Sequence, residues 1–308
     1  MPDEVPTLHA VPVAGGFTFL EGPRWHGGEL FASDFYSERV LAFRTTGSPT
    51  DHHLARTVCT VPGRPSGLGF TPDGSLLVVS MLGRRLMRWN GRTLETVSRF
   101  SDLIDGVAND MIVTESGWAF IGNFGNTDAA PHSLHETALV RVSPDGTADL
   151  QGGGLNFPNG MVLTTDRRQL LVAETFAGRV SALSVDWDAA GVPTLGGRRT
   201  WAQFGDAPAY LDADRARREL PVLPDGLAID RHDRVWISSS TGHGARLLAP
   251  DGTLLAFVDT GELSAYAVAL GGDDHRTLYL CCSPPLGTVD PARTTASVLY
   301  AADISALR

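Results

Sequence analysis

The chain has 308 residues, 43% hydrophobic and 19% charged, with a formal net charge of −10 and a pI near 5.3. That is the balance of a globular protein with a real core, and its acidity argues against nucleic acid or an anionic membrane as the main partner. All 25 side-chain cations are arginine, which removes Schiff-base lysine chemistry and a phosphate-binding P-loop.

The amino terminus, Met1-Pro2-Asp3-Glu4, is acidic and lacks an apolar signal core, and no run of residues reaches the length of a membrane span. The expectation is a cytoplasmic protein. Leu8 to Val13 is the first strand-like run. From Leu20 onward the chain repeats a unit of three or four short apolar runs. The first runs follow Glu21, Ser66, Asn109, Asn159, Asp225 and Tyr266, at intervals of 45, 43, 50, 66 and 41 residues. That is the period of a propeller blade, not of a helical repeat.

A second run begins about ten residues into each unit: Leu30–Ala32, Leu76–Val79, Trp118–Ile121, Leu170–Ala173, Val235–Ile237 and Leu278–Leu280. These runs are continuous, as in strands buried on both faces. Third runs follow at Arg39–Phe43, Arg85–Trp89, Ala138–Val142, Arg179–Leu183, Ala245–Leu248 and Ser297–Tyr300. Pro72-Asp73-Gly74, Pro144-Asp145-Gly146 and Pro250-Asp251-Gly252 mark turns between later strands. The prediction is all-β: a single six-bladed β-propeller domain over residues 1–308, closed by the N-terminal run as outer strand of the last blade.

The 66-residue interval is the exception. Its excess, around Pro208 to Leu220, contains helix formers and ends just before Asp225, so it is expected on the same face as Asp225, as a surface turn or a lid. Cys59, Cys281 and Cys282 are too few and too badly spaced for a disulfide framework or zinc knuckle, and the last two suit a buried strand. His52-His53 reads as a solvated loop, and His243 as an exposed loop residue. No Gly-x-Ser-x-Gly elbow exists, so a serine triad has no local support.

In a propeller the first strand of each blade lines the axis. Glu21, Ser66, Asn109, Asn159, Asp225 and Tyr266 would therefore converge, each bringing an oxygen. Two carboxylates, Glu21 and Asp225, beside the Asn159 amide are costly unless protonated or neutralised. A divalent cation would neutralise them, and an all-oxygen set favours Ca²⁺, Mg²⁺ or Mn²⁺. The competing reading is that Asn159-Gly160 and Asp225-Gly226 are simply turns. Register separates them: Asp73, Asp145 and Asp251 stand between strands, whereas Asp225 shares its position with Glu21 and Asn159.

The phrases Glu21-Gly22-Pro23-Arg24-Trp25, Asn109-Asp110, Phe157-Pro158-Asn159-Gly160, Glu174 to Val180 and Leu223 to Ile229 resemble the senescence marker protein/gluconolactonase/luciferin-regenerating enzyme family. The resemblance runs from about Gly16 to Asp303. It implies a calcium-dependent lactonase-like propeller, with Mg²⁺, Mn²⁺ or Fe²⁺ as alternative ions. Glu21, Asn159 and Asp225 would be metal ligands. Asp225 would also be the general base, and Asn109 would face substrate or a metal-bound water. Ser66 and Tyr266 would complete the wall.

One position departs from the sugar lactonases, which often place arginine where this chain has Val107. Phe35, Met81, Phe124 and Phe176 are expected near the pocket mouth, either touching substrate or packing between blades. The expected activity is hydrolysis of a lactone or similar cyclic ester. The alternatives are phosphotriester hydrolysis, ring opening or isomerisation at the same site, or a non-enzymatic binding propeller with a structural metal. Oligomeric state is not legible.

Overall fold

A computed structural model describes residues 5–45, 48, 50–126, 133–206, 212–272 and 274–307. The chain opens with β1 (Thr7–His9) and β2 (Val11–Phe17). Next come β3 (Leu20–His26), β4 (Glu29–Asp34), β5 (Arg39–Thr45) and β6 (His53–Thr60). Then follow β7 (Pro65–Phe70), β8 (Leu76–Ser80), β9 (Arg85–Trp89) and β10 (Leu94–Arg99). The third group is β11 (Ala108–Val113), β12 (Ala119–Asn123), β13 (Thr137–Val142) and β14 (Ala148–Leu155). The fourth is β15 (Pro158–Leu163), β16 (Gln169–Glu174), β17 (Arg179–Trp187) and β18 (Pro193–Gln203). Each group is a four-stranded antiparallel meander.

After the short helix α1 (Ala213–Glu219) come β19 (Pro224–Ile229), β20 (Val235–Ser239), β21 (Ala245–Leu248) and β22 (Leu254–Asp259). The last strands are β23 (Ser264–Gly271), β24 (Thr277–Ser283) and β25 (Ser297–Asp303). Together with β1 and β2 these seven make a nine-stranded sheet, whose two halves meet at the single bridge Ser239–Ala265. All second and third apolar runs of the sequence fall in strands, except that Trp118 lies just before β12.

The first strands form a ring: β3 lies against β7, β7 against β11, β11 against β15, β15 against β19, β19 against β23, and β23 returns to β3. The core fills the spaces between neighbouring sheets. Leu77, Val79 and Leu86 pack on Met111, Ile121 and Val140, and Val13 and Leu299 join Leu30, Phe43 and Tyr279 where the ends of the chain meet. This is a β-propeller-like architecture.

The N-terminal run divides. Val11–Phe17 pairs antiparallel with β25, as expected of a closing strand. Thr7–His9, however, adds to the preceding sheet, parallel to β22. Asp73 also differs from its expected place, lying in the turn between the first and second strands β7 and β8. His53 is no solvated loop residue: it begins β6, is 2% exposed, and its ring bonds Asp51 O at 2.8 Å and the Tyr279 hydroxyl at 3.3 Å. His52 and His243 are exposed, whereas all three cysteines are buried. Among the described residues no helix is long and apolar enough to cross a membrane.

Candidate functional site

Every first strand carries a β-bulge at one place. The register slips between Glu21 and Arg24, Pro65 and Leu68, Ala108 and Met111, Pro158 and Met161, Pro224 and Leu227, and Ala265 and Ala267. A bulge inserts an unpaired residue and re-aims a side chain. The residues within these bulges include Glu21, Ser66, Asn109, Asn159, Asp225 and Tyr266, and all six are buried.

The glycine that follows most of them serves close approach rather than a hairpin turn. A Cβ on Gly160 would stand 2.5 Å from Asp225 O, one on Gly67 2.3 Å from Met111 N, and one on Gly226 2.6 Å from Ala267 Cα. Each bulge thus presses on the backbone of the next strand round the ring. Ser33 and Ser238 on the second strands add to this, donating to Ser66 O at 2.7 Å and Tyr266 O at 2.9 Å.

Asn159 Nδ2 donates to Asp225 Oδ1 and to Thr175 Oγ1, the latter at 3.3 Å. Asn109 receives the Ser66 hydroxyl at 3.5 Å and donates to Pro158 O at 3.4 Å. Glu21 Oε2 accepts the Gly22 N–H at 3.1 Å. The Tyr266 hydroxyl donates to Pro284 O at 3.0 Å, and its ring meets Phe19 at 4.7 Å.

Asp225 feels the charge of Glu21, and both feel that of Asp110. Burial, then the Asp110 carboxylate, pushes Glu21 up to about 8, against the opposing Gly22 N–H and Arg24. Burial, then Glu21 and Asp110, holds Asp225 well above the usual carboxylate range, with the Asn159 bond opposing. Burial and the Asp225 charge also raise the Tyr266 phenol.

Asp110 is the member sequence reasoning passed over, although Asn109-Asp110 was in view. It is 4% exposed, accepts Met111 N–H at 2.8 Å and pairs with Arg24 at 3.0 Å. Its partner lies 86 residues away, which no local pattern announces.

The donor chemistry fits a hard divalent cation. Two buried carboxylates, Asp225 raised by the Glu21 charge and both raised by Asp110, need a positive charge nearby to stay ionised. An amide whose nitrogen is committed to Asp225 and Thr175 keeps its oxygen for a cation. Among the described residues no three His, Cys, Asp or Glu side chains cluster as a metal site. The third expected ligand here is an asparagine.

The mouth above these residues is apolar. Phe19, Phe35, Met81 and Tyr266 form one cluster, with Val107 and Phe124 against it. Phe176 lies apart from that cluster. It is 4% exposed, beneath α1, among Leu134, Ala213, Ala216, Leu220 and Leu223. Phe157 links the two groups, stacked on Phe124 at 4.3 Å and edge-on to Phe176 at 4.6 Å. The long interval therefore places α1 against the segments that lead into β15 and β19, on the face where Asn159 and Asp225 begin their strands. Asp212 caps the helix, accepting Arg215 N–H at 2.8 Å. Tyr210 and Leu211 lie outside the described residues.

Glu174, also in a family-like phrase, is a structural clamp. Fully buried, it holds Arg179 at 2.8 Å and accepts Asn156 N–H at 2.8 Å.

A propeller-like ring of strands, with buried polar residues at the same bulge of each inner strand, is the setting in which the family can be stated. The chain belongs to the SMP-30/Gluconolactonase/LRE-like family, whose sequence profile matches residues 19–283. It is 28% identical over 268 residues to a pentonolactonase of Haloferax volcanii, covering 84% of this chain and 80% of that one. It is 26% identical to a gluconolactonase of Zymomonas mobilis over 71% of this chain, spanning 60% of that relative's length. In structure it is similar to a calcium-binding protein, regucalcin, from Agrobacterium tumefaciens, with a TM-score of 0.74 at 16% identity, over 97% of this chain and 94% of that one.

Proposed function

We propose that this lactonase-like enzyme is a divalent-metal-dependent hydrolase that opens a lactone or similar cyclic ester, on a six-bladed propeller. The blade count takes the nine-stranded sheet as two blades touching at Ser239–Ala265. The observation that carries the reading is that buried Asp225 is bonded to Asn159 and lies within electrostatic reach of buried Glu21.

Glu21, Asn159 and Asp225 would hold the ion, with Ca²⁺ first among the candidates. When bound, it would polarise the ester carbonyl and stabilise the developing oxyanion. Asp225, bonded to Asn159, would also take the proton from attacking water. Asn109 and the Ser66 hydroxyl, bonded to each other, orient water or substrate. Tyr266, fixed through Pro284, walls the site with Phe124 and the mouth cluster. Phe176 contributes indirectly, through Phe157, which it meets edge-on and which stacks on Phe124.

A panel of lactones assayed with and without EDTA tests the reading. Turnover that EDTA abolishes and Ca²⁺ or Mn²⁺ restores is the expected result. Turnover that survives complete metal removal would overturn the metal, and ligand binding without turnover would overturn the enzyme.

A further inference from the structure

Arg24 stands three residues beyond Glu21 on β3, past the bulge, and reaches across to β11. Its Nη2 donates to Asp110 Oδ1 at 3.0 Å and to the Met111 carbonyl, and its Nη1 donates to Pro23 O at 2.8 Å. Asp110 is buried, whereas the Arg24 side chain is 23% exposed. That exposure faces a cavity of about 380 Å³ at the far ends of the inner strands, lined by Arg24, Trp25, Phe70, Met161, Leu227 and Val268. The cavity and the carboxylates share one axis, and the Arg24–Asp110 pair stands between them.

The pair belongs electrically to the carboxylate side. Asp110 acts on Glu21 and Asp225, and Arg24 acts on Glu21 with the opposite sign. Three carboxylates against one guanidinium leave a formal charge of −2, which one divalent cation neutralises. A methionine in place of Arg24 would leave −3 and strand Asp110 without its partner.

We propose that Arg24 is the resident counter-ion of the axial channel, and that its ion pair with Asp110 sets the charge against which Glu21, Asn159 and Asp225 hold a single divalent cation. The proposal rests on the metal reading of the site above. Arg24 is a positioning residue: its bonds are to Asp110 and backbone, and it acts on the cation through charge.

The test is isothermal titration of the folded, metal-stripped chain with MnCl₂. Wild type should bind one ion per chain. Arg24→Met should bind it more than about a hundredfold tighter and Asp110→Asn more than about a hundredfold more weakly, the scale for a divalent ion and one unit charge about 10 Å away at an effective dielectric constant near 20. The double variant should return to within about threefold of wild type, and Arg24→Lys should match wild type. A purely structural role would weaken binding in every variant, and that result overturns the proposal, as does unchanged affinity in folded Arg24→Met. Where Arg24→Met does not fold, Asp110→Asn and Arg24→Lys decide: Asp110→Asn at wild-type affinity, or Arg24→Lys shifted more than about tenfold, overturns it. Wild type that binds no Mn²⁺ removes the metal reading itself, a failure distinct from the other outcomes.

Discussion

Asn159 donates its side-chain amide to Asp225 Oδ1, tying β15 to β19 across 66 residues of chain. The bond orients one carboxylate oxygen of Asp225 and leaves the amide oxygen of Asn159 uncommitted to it. Asp225→Ala should therefore remove both a ligand and the orienting partner of Asn159. Partners one shell further from a metal cost about 10–100-fold when lost, so the expected fall in Mn²⁺ affinity exceeds about 100-fold. Hydrolysis should vanish while circular dichroism is unchanged, because Asp225 lies in a bulge outside the β19–β20 ladder and not in the apolar core between sheets. Glu21→Gln should lose less, since an amide still coordinates.

Glu21 yields a prediction about pH. Its folded value lies near 8 against an ordinary 4.5, so between those values the folded chain holds more protons than the unfolded one. Stability of the metal-free protein should be greatest below about pH 4.5 as far as this group is concerned, and should fall as pH rises toward 8. Asp225 acts in the same direction. Melting temperature measured in EDTA across this range should decline, and Glu21→Gln should flatten the decline. Mn²⁺ affinity should rise over the same window, because the protons must leave before the ion is held.

Val107 packs with Phe19, Phe35, Met81 and Tyr266, where an arginine would grip sugar hydroxyls. Sites that hydrogen-bond a hydroxyl can reject its absence by ~10⁴, whereas apolar walls discriminate far less. The enzyme should have a higher kcat/KM for a sparsely hydroxylated lactone than for glucono-1,5-lactone. Val107→Arg should narrow that gap. A strong wild-type preference for the sugar lactone refutes the idea.

How much of this was legible in the sequence follows physical lines. Strand positions were, because burial on both faces writes continuous apolar runs such as Leu170–Ala173 and Leu278–Leu280. The six-fold column was also legible, since a repeat with constant register needs only counting. The bulges were not: one extra residue leaves the apolar pattern intact. Asn159-Gly160 admits a turn as a competing reading because glycine serves both turns and close approach; register argues against the turn, and the contact with the next strand's backbone shows the close approach. His53 was misread because its partner, Tyr279, is 226 residues away. Leu8 and His9 were assigned to the closing strand because nothing local marks the step from β1 to β2.

Helix α1 supplies the last prediction. Ala213, Ala216 and Leu220 cover Phe176 and Leu223, the residue just before Pro224-Asp225, and Arg217 lies over the Phe176 ring at 5.0 Å. Replacing Ala207 to Leu220 by a Gly-Ser linker should uncover that cluster without touching a proposed ligand. Metal affinity should stay within about threefold, as is usual for sites that share no partner. KM for the true substrate should rise. Unchanged KM and specificity would confine the helix to packing.

The pairing of Val11 with Ala301 has a consequence for how the molecule is made. A nascent chain releases β2 long before β25 exists. At 5–20 residues per second the wait is roughly 15–60 s on the ribosome. Throughout it Val13 and Phe17 have no shelter from Leu299 or Ala301, although both end in one buried cluster. The sheets between can form in order as they emerge, each a local meander. The clasp between β2 and β25 joins strands far apart in the chain and forms after those local meanders, so the hazard of mispairing or capture by another chain is concentrated there. Variants that weaken β2 would be felt in yield before they are felt in catalysis.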